Sequence, residues 1–187
     1  LEPVQGEGGI NMPDDDYLMK VRKLCDEFNV LMICDEIQTG LGRTGVLLNS
    51  HEALGSGKNK PDMVTLAKSL SNGLYPVSAV MMSNELSDII LPGEHGSTFS
   101  GNPLGMAAVV QSMKALVAND GKIMKDSHDV GSYMTYLFSQ IQSPLIKEVR
   151  GRGLLIGMEF HPDLPFKISD LALLLMEKGL LLRDGST

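Results

Sequence analysis

Two charged side chains lie where strand-like runs of the sequence end. Asp35 follows the continuous apolar residues 30–34, and Lys68 follows the apolar, partly β-branched residues 63–67. Runs of this kind predict buried strands of a parallel sheet, and such sheets bind ligands beyond the carboxyl ends of their strands. A nearly buried lysine in that position has a lowered pKa and can act as a nucleophile or base. Considered alone, Lys68 is better explained as a strand-end lysine whose amine extends into water.

The carboxylate and the amine together allow two interpretations. Asp35 and Lys68 at one edge of a sheet could form a simple ion pair. They could instead hold a cofactor whose aldehyde needs an amine and whose pyridine nitrogen needs an anion. The residue types and their placement leave both interpretations open.

The remaining elements of the chain predict the scaffold that positions these residues. Pro13 and the aspartates after it favour the start of a helix. The buried face of that helix is predicted from helical spacing to consist of Tyr17, Val21, Leu24, Cys25 and Phe28. Further strands are expected at residues 77–82, 149–160 and 179–183, and further helices at residues 85–91, 104–117, 119–141 and 168–178. We therefore predict an α/β fold, with a three-layer, mostly parallel sheet over residues 1–118 and the start of a smaller α+β domain over residues 119–187.

Composition excludes several classes of function. The 187 residues carry a formal net charge of -7, which argues against nucleic acid as the main partner. No apolar run is long enough to span a bilayer, so no membrane association is expected. The four histidines are scattered without metal-ligand spacing, and no metal site is predicted. The two cysteines, Cys25 and Cys34, are expected to be reduced, which favours a reducing compartment: the cytoplasm, with the mitochondrial matrix as the alternative.

Motifs around both charged residues resemble a known family. Residues 31–40, with the glycine loop at residues 42–45, are similar to the signature of class III aminotransferases, which are fold-type I enzymes dependent on pyridoxal 5'-phosphate (PLP). Residues 66–76 resemble the segment of that family that carries the Schiff-base lysine. Within the family, residues 73–80 and 92–98 are most similar to ornithine aminotransferases. Because the chain begins inside a strand-like phrase and stops where a strand-like run has just finished, we expect it to be an internal fragment of such an enzyme.

The resemblance implies roles for three residues near the predicted sheet edge. Lys68 would form the Schiff base with PLP and then move a proton between substrate and cofactor. Asp35 would pair with the pyridine N–H and keep it protonated. Gln38 would hydrogen-bond the phenolic oxygen of the ring, although a loop amide satisfied by the backbone is the alternative.

Three further residues receive roles from the same resemblance. Ser97 and Thr98 would reach across a dimer interface to the partner's cofactor phosphate, and a hydroxyl-rich turn is the alternative explanation. Glu7 matches the glutamate that pairs with an arginine and selects diamine over dicarboxylate substrates in ornithine aminotransferases. The phosphate loop, the aromatic residue that stacks on the ring and the arginine for the substrate α-carboxylate are expected to lie outside this sequence, the arginine beyond Thr187.

The implied function is transfer of the δ-amino group of L-ornithine to 2-oxoglutarate by a homodimer with shared active sites. The substrates would therefore be amino acids and 2-oxo acids. Acetylornithine and 4-aminobutyrate aminotransferases are the close alternatives within the family. A different alternative is a non-catalytic fragment that takes part in folding or dimerisation and binds no cofactor.

Overall fold

The structure is a computed structural model that describes residues 1–55 and 57–183. Its helices are α1 (Tyr17–Glu27), α2 (Asn49–Leu54), α3 (Asn84–Ser87), α4 (Pro103–Ser139) and α5 (Ile168–Glu177). Its strands are β1 (Ile33–Asp35), β2 (Met63–Leu66), β3 (Ala79–Met82), β4 (Ile146–Arg152) and β5 (Leu155–Phe160). A single 3-10 turn covers Lys68–Ser71. The mixture of sheet and helix confirms the α/β class.

The first sheet has the strand order β1-β2-β3. Strands β1 and β2 are parallel, with Asp35 opposite Thr65, as expected for strands joined by a connection that contains a helix. Strand β3 runs antiparallel to β2, and no helix longer than the 3-10 turn lies between them. The main chain of Leu1 continues the parallel arrangement on the other side of β1, since its N–H donates to the Ile33 carbonyl at 2.9 Å and its carbonyl accepts from Asp35 at 2.8 Å.

The buried face of α1 differs from the sequence prediction. Leu24 and Phe28 are exposed, and Tyr17 is 39% exposed, whereas Leu18 and Arg22 are buried. Arg22 can occupy an inward position because its guanidinium donates to Asp62 at 2.7 Å. The helix is therefore rotated relative to the face that apolar spacing alone defines.

The apolar run at residues 30–34 is shorter as a strand than predicted and is covered on one face. Met32 and Cys34 are buried in a cluster with Leu18 and Leu54, whereas Leu31 and Ile33 on the alternate positions are exposed, as is Val30 before them. A second cluster contains Leu41, Val64, Leu66, Leu70 and Leu116. Within the described residues, the face of Met32 and Cys34 is therefore the covered one, and cover on both faces stays a prediction.

Helix α4 is interrupted where a change of domain is predicted. Residues 118–121 leave the helical conformation, and Asn119 and Asp120 have φ values of 50° and 55°. The interruption separates an apolar first half from a more polar second half. The division into residues 1–118 and 119–187 stays a prediction.

The segment at residues 149–160 is a hairpin and not the single strand predicted. Strands β4 and β5 pair antiparallel, with Arg150 opposite Gly157, and the tight turn between them contains Gly153 at a φ of 55°. A positive φ of this kind favours glycine, which explains why the chain can reverse there. The predicted strand at residues 179–183 is not formed, since no strand pairs with it.

Candidate active site

Asp35 and Lys68 lie at the same edge of the sheet. Asp35 is the last residue of β1, and Lys68 follows the end of the parallel neighbour β2 by two residues. The half-buried Asp35 carboxylate accepts the Ile37 N–H at 2.9 Å, which fixes the chain as it leaves the strand. The sheet therefore places Asp35 and Lys68 at the carboxyl ends of adjacent parallel strands, as the sequence interpretation expects.

Lys68 has an unusual backbone conformation. Its φ is 46°, in the left-handed region that is unfavourable for a residue with a side chain. The 3-10 turn that it begins is closed by a hydrogen bond from the Leu70 N–H to the Ala67 carbonyl at 2.9 Å. The side chain is exposed, as expected for a strand-end lysine whose amine extends into water, because the chain turns away from the sheet directly after β2. The amine is consequently accessible from outside the protein.

Gln38 connects the signature segment with the loop that carries Glu7. Its Nε2 donates to Glu7 Oε1 at 3.0 Å. Gly6 lies directly beside this amide, since a Cβ at Gly6 would lie 2.4 Å from Gln38 Oε1. An amide nitrogen has two hydrogens, so the bond to Glu7 leaves Gln38 a second donor for a ligand.

The loop from Gln5 to Asn11 is closed on itself. The main chains of Gln5 and Asn11 form an isolated antiparallel bridge with hydrogen bonds of 3.1 Å in both directions. The Asn11 side chain adds hydrogen bonds to Gln5 Oε1 at 3.0 Å and to the Gly8 carbonyl at 2.8 Å. Glu7 is thus carried by a compact loop and not by a free chain segment.

Arg183 pairs with Glu7; the resemblance implied an arginine partner for Glu7 but did not identify this one. Its Nη2 lies 2.7 Å from Glu7 Oε2, and its Nη1 donates to Oε1 at 3.1 Å. The two side chains are 77% and 48% exposed, so this bidentate pair is screened by water and contributes little to stability. The two residues are 176 positions apart in sequence, which leaves no local sequence signal for the contact.

Glu36 is a second residue that the sequence interpretation missed. It is fully buried and accepts hydrogen bonds from Thr39 Oγ1 at 2.5 Å, Ser50 N–H at 2.6 Å and Ser50 Oγ at 2.7 Å. Burial raises the pKa of the adjacent Cys34 thiol to about 11, and the Glu36 carboxylate adds to the rise. Glu36 therefore anchors the loop that begins directly after Asp35, and its only sequence signal is its place beside that residue.

Ser97 and Thr98 lie in a wholly exposed loop. The Ser97 carbonyl accepts the Ser100 N–H at 3.1 Å. Across residues 1–55 and 57–183, no hydrogen bond joins Ser97 or Thr98 to Asp35, Gln38 or Lys68. Their proposed role requires a second chain and stays a prediction.

The donor set at the sheet edge fits PLP. An accessible primary amine suits its aldehyde, a strand-end carboxylate suits the protonated pyridine nitrogen, and the amide of Gln38 suits the phenolic oxygen.

Within the described part of the chain, no group of three or more His, Cys, Asp or Glu side chains could hold a metal ion. No described helix is long and apolar enough to cross a membrane.

A lysine and a carboxylate at adjacent strand ends of an α/β sheet fit the class of fold-type I PLP proteins. The family description "Aminotransferase class-III" matches residues 1–186, and the chain belongs to this family, whose members depend on PLP.

Curated and solved relatives agree with the family. Ornithine aminotransferase 1 of Staphylococcus aureus is 43% identical over 184 residues, which are 98% of this chain and 44% of that protein. Ornithine aminotransferase of Plasmodium yoelii is 40% identical with a TM-score of 0.89, over 98% of this chain and 48% of the other. Acetylornithine aminotransferase of Elizabethkingia anophelis is 39% identical with a TM-score of 0.85, over 96% and 44%. The chain thus spans less than half the length of these relatives.

Proposed function

We propose that the full-length protein is a PLP-dependent ornithine δ-aminotransferase that transfers the δ-amino group of L-ornithine to 2-oxoglutarate. The observation that carries the proposal is the placement of Asp35 and Lys68 at the ends of adjacent parallel strands. Similarity to ornithine aminotransferases from several organisms supports the choice of substrate. Glu7 supports it as well, since it matches the glutamate that pairs with an arginine in ornithine aminotransferases.

The residues of this chain would divide the chemistry among them. When bound, PLP supplies an aldehyde that reacts with amines and a ring that accepts electron density. Lys68 would bind the aldehyde carbon and hold or move the proton at the reacting carbon of the substrate. Asp35 would keep a proton on the pyridine nitrogen, and Gln38 would donate its second amide hydrogen to the ring oxygen. Glu7 would select the amino donor.

The assembly is proposed from the family resemblance, and the location from the two cysteines, Cys25 and Cys34, which are expected to be reduced. Ser97 and Thr98 would contact the cofactor phosphate of a partner subunit, so that the active sites of a homodimer are shared. Light scattering should give the mass of a dimer. Reconstitution from two inactive variants, one changed at Lys68 and the other at Thr98, should recover part of the activity only if sites are shared. We further propose a cytoplasmic location, which fractionation with a cytoplasmic marker enzyme tests.

Covalent trapping distinguishes an enzyme from a non-catalytic fragment. Borohydride reduction of the full-length protein with PLP should attach the cofactor to the peptide that contains Lys68, as measured by peptide mass. Lys68→Ala should abolish that adduct, whereas the control Lys60→Ala, which changes another exposed lysine, should retain it. An adduct that persists in Lys68→Ala would refute the role of Lys68.

A second candidate function is acetylornithine aminotransferase, favoured by the similarity to the Elizabethkingia anophelis structure. The ratio of kcat/KM for ornithine to that for N-acetylornithine decides between the two. Preference for the acetylated amine would reject the ornithine proposal, and 4-aminobutyrate is tested in the same series.

A further inference from the structure

Arg150 lies on the hairpin of the second half of the chain but contacts the loop that carries Glu7. Its Nη2 donates to the Gly9 carbonyl at 2.8 Å, and its Nε donates to the carbonyls of Gly9 at 3.2 Å and Ile10 at 3.1 Å. These bonds join residues 140 and 141 positions apart in sequence. The planar guanidinium suits this contact, since one rigid group supplies several donors in fixed directions.

Two carboxylates hold Arg150 in that position. Its Nη1 donates to Glu148 Oε2 at 2.9 Å and also to Glu159 Oε2. The Arg150 side chain is only 14% exposed, whereas Glu148 is 52% and Glu159 33% exposed. The guanidinium is therefore fixed between the acidic groups of its own hairpin and the carbonyls of the loop.

The loop needs such an external contact. Ile10 has a φ of 56°, and β-branched residues are genuine outliers in this region. Gly9, beside it, has a φ of 106°. Strained conformations persist only where the surroundings determine them. Besides the hydrogen bonds within the loop, this turn has neighbours on the hairpin: Arg150, and Gly157, where a Cβ would lie 3.1 Å from Ile10 Cβ.

On the other side, the loop presents Glu7 to Gln38 and Arg183. Glu7 lies two residues before Gly9 and accepts from Gln38 Nε2 at 3.0 Å. The carbonyl of Gly6 accepts the N–H groups of Gly9 at 3.2 Å and Ile10 at 3.3 Å, which connects the two sides of the loop. A displacement at Gly9 and Ile10 is consequently transmitted to the residue that carries the carboxylate.

We propose that Arg150 is a positioning residue that fixes the Glu7 loop from the β4–β5 hairpin and thereby sets the choice of amino donor. The structural part rests on the contacts above, and the part that concerns substrates rests on the proposed ornithine aminotransferase function. Arg150 acts through Glu7 and does not itself touch the substrate.

The test compares Arg150→Met with Lys147→Met in the full-length holoenzyme. Lys147 lies on the same strand and pairs with the same Glu159, at 2.5 Å, without contacting the loop. Hydrogen exchange of residues 5–11, followed by mass spectrometry, should become faster in Arg150→Met and remain unchanged in Lys147→Met. The ratio of kcat/KM for ornithine to that for glutamate should fall about tenfold in Arg150→Met, mainly through KM, as loss of charge-assisted hydrogen bonds would give.

Two further variants test the proposal in case Arg150→Met does not fold. Arg150→Lys keeps the charge but not the fork of donors, so it should show the same faster exchange. Gly157→Ala leaves Arg150 intact but should displace the loop, because the new Cβ would lie 3.2 Å from the Gly9 oxygen. It should lower the same substrate ratio.

Each outcome has a definite meaning. Equal exchange in Arg150→Met and Lys147→Met would overturn the positioning role. Faster exchange with an unchanged substrate ratio would overturn the link to donor selection. A full-length protein that does not use ornithine would reject the proposed function, while the exchange comparison would still decide whether Arg150 fixes the loop.

Discussion

Replacement of Gly6 by alanine should damage the candidate site while leaving the fold intact. The new Cβ would lie 2.4 Å from Gln38 Oε1, 2.6 Å from Cδ and 3.0 Å from Nε2. No positive φ is recorded at Gly6, so the backbone itself accepts alanine. The clash therefore falls on the far end of one flexible side chain.

The size of the effect follows from these distances. An ordinary contact needs about 3.4 Å, so the Gln38 amide must move by about 1 Å. Such a shift breaks the 3.0 Å hydrogen bond from Gln38 Nε2 to Glu7, unless the loop moves with it. A misplacement of about 1 Å can cost about 10²-fold in rate. Stability should change by less than about 1 kcal/mol, because the side chain can rotate and alanine restricts the unfolded chain.

The assay uses the full-length protein and a matched control in the same loop. Gly8→Ala places its Cβ 3.5 Å from the nearest side-chain atom and has no positive φ, so it introduces no clash. We expect Gly6→Ala to lower kcat/KM for ornithine by ten- to a hundredfold, as the shift predicts, and to weaken PLP binding measured by absorbance titration. Gly8→Ala should match the wild type in both.

Three results would refute this reasoning. Wild-type kinetics in Gly6→Ala would mean that Gln38 has no role at the site. A large fall in Tm with parallel loss of activity would mean that the amide cannot rotate away and that Gly6 is required for folding. Equal effects of Gly6→Ala and Gly8→Ala would show that the loop tolerates no side chain at all.

Three further predictions concern stability, each measured by urea denaturation. Burial alone would raise the pKa of Asp62, but hydrogen bonds from Arg22 and a main-chain N–H outweigh it and hold the pKa below 3.8. The pKa of Asp62 is therefore lower in the folded than in the unfolded protein. Asp62 stabilises the fold above pH 3.8, and this stabilisation is lost as the pH falls through the pKa of the folded state. Asp62→Asn should cost about 2 kcal/mol at neutral pH, with the deficit disappearing in acid. Glu36→Ala should cost about 3 kcal/mol, because buried donors lose their acceptor. Gly131→Ala should cost more than about 3 kcal/mol, since its Cβ would lie 1.9 Å from the Gly153 oxygen.

Each of these predictions has a control in the chain. Asp26 also pairs with Arg22 but is 60% exposed, so Asp26→Asn should cost less than about 0.5 kcal/mol. The control for Glu36→Ala is Glu52→Ala, since Glu52 is an exposed carboxylate on α2. The control for Gly131→Ala is Gly96→Ala, since there is open space where a Cβ at Gly96 would be. If a variant and its control lose equal stability, the contact named for that variant is not the cause.

The sequence predicted the sheet edge because its signals are local. Each signal spans only a few residues: one is an apolar run followed by Asp35, and the other is an apolar run followed by Lys68. The parallel pairing of β1 and β2 places the ends of both strands at one edge of the sheet. The helix at residues 168–178 was predicted within one residue for the same reason. Local signals therefore located the residues that the proposed chemistry requires.

The errors and omissions come from contacts between distant segments. The buried face of α1 depends on Asp62, which lies 40 residues after Arg22 and makes an inward charge acceptable. Arg150 and Arg183 reach the Glu7 loop across 141 and 176 residues. Periodicity within one helix or strand contains no information about such partners, so neither the rotation of α1 nor the environment of Glu7 could be predicted from it.

The β4–β5 hairpin also has a consequence for the order in which parts of the protein can fold during synthesis. Besides Arg150 at the Glu7 loop, the Leu154 N–H donates to the Arg43 carbonyl at 2.9 Å in the signature loop. Closing such long intervals is entropically costly and slow. On a ribosome, both loops must therefore wait for more than a hundred further residues before their partner emerges. Throughout that interval, the edge of the sheet with Asp35 and Lys68 lacks these contacts. The exposed strands of the nascent chain can then bind chaperones or aggregate.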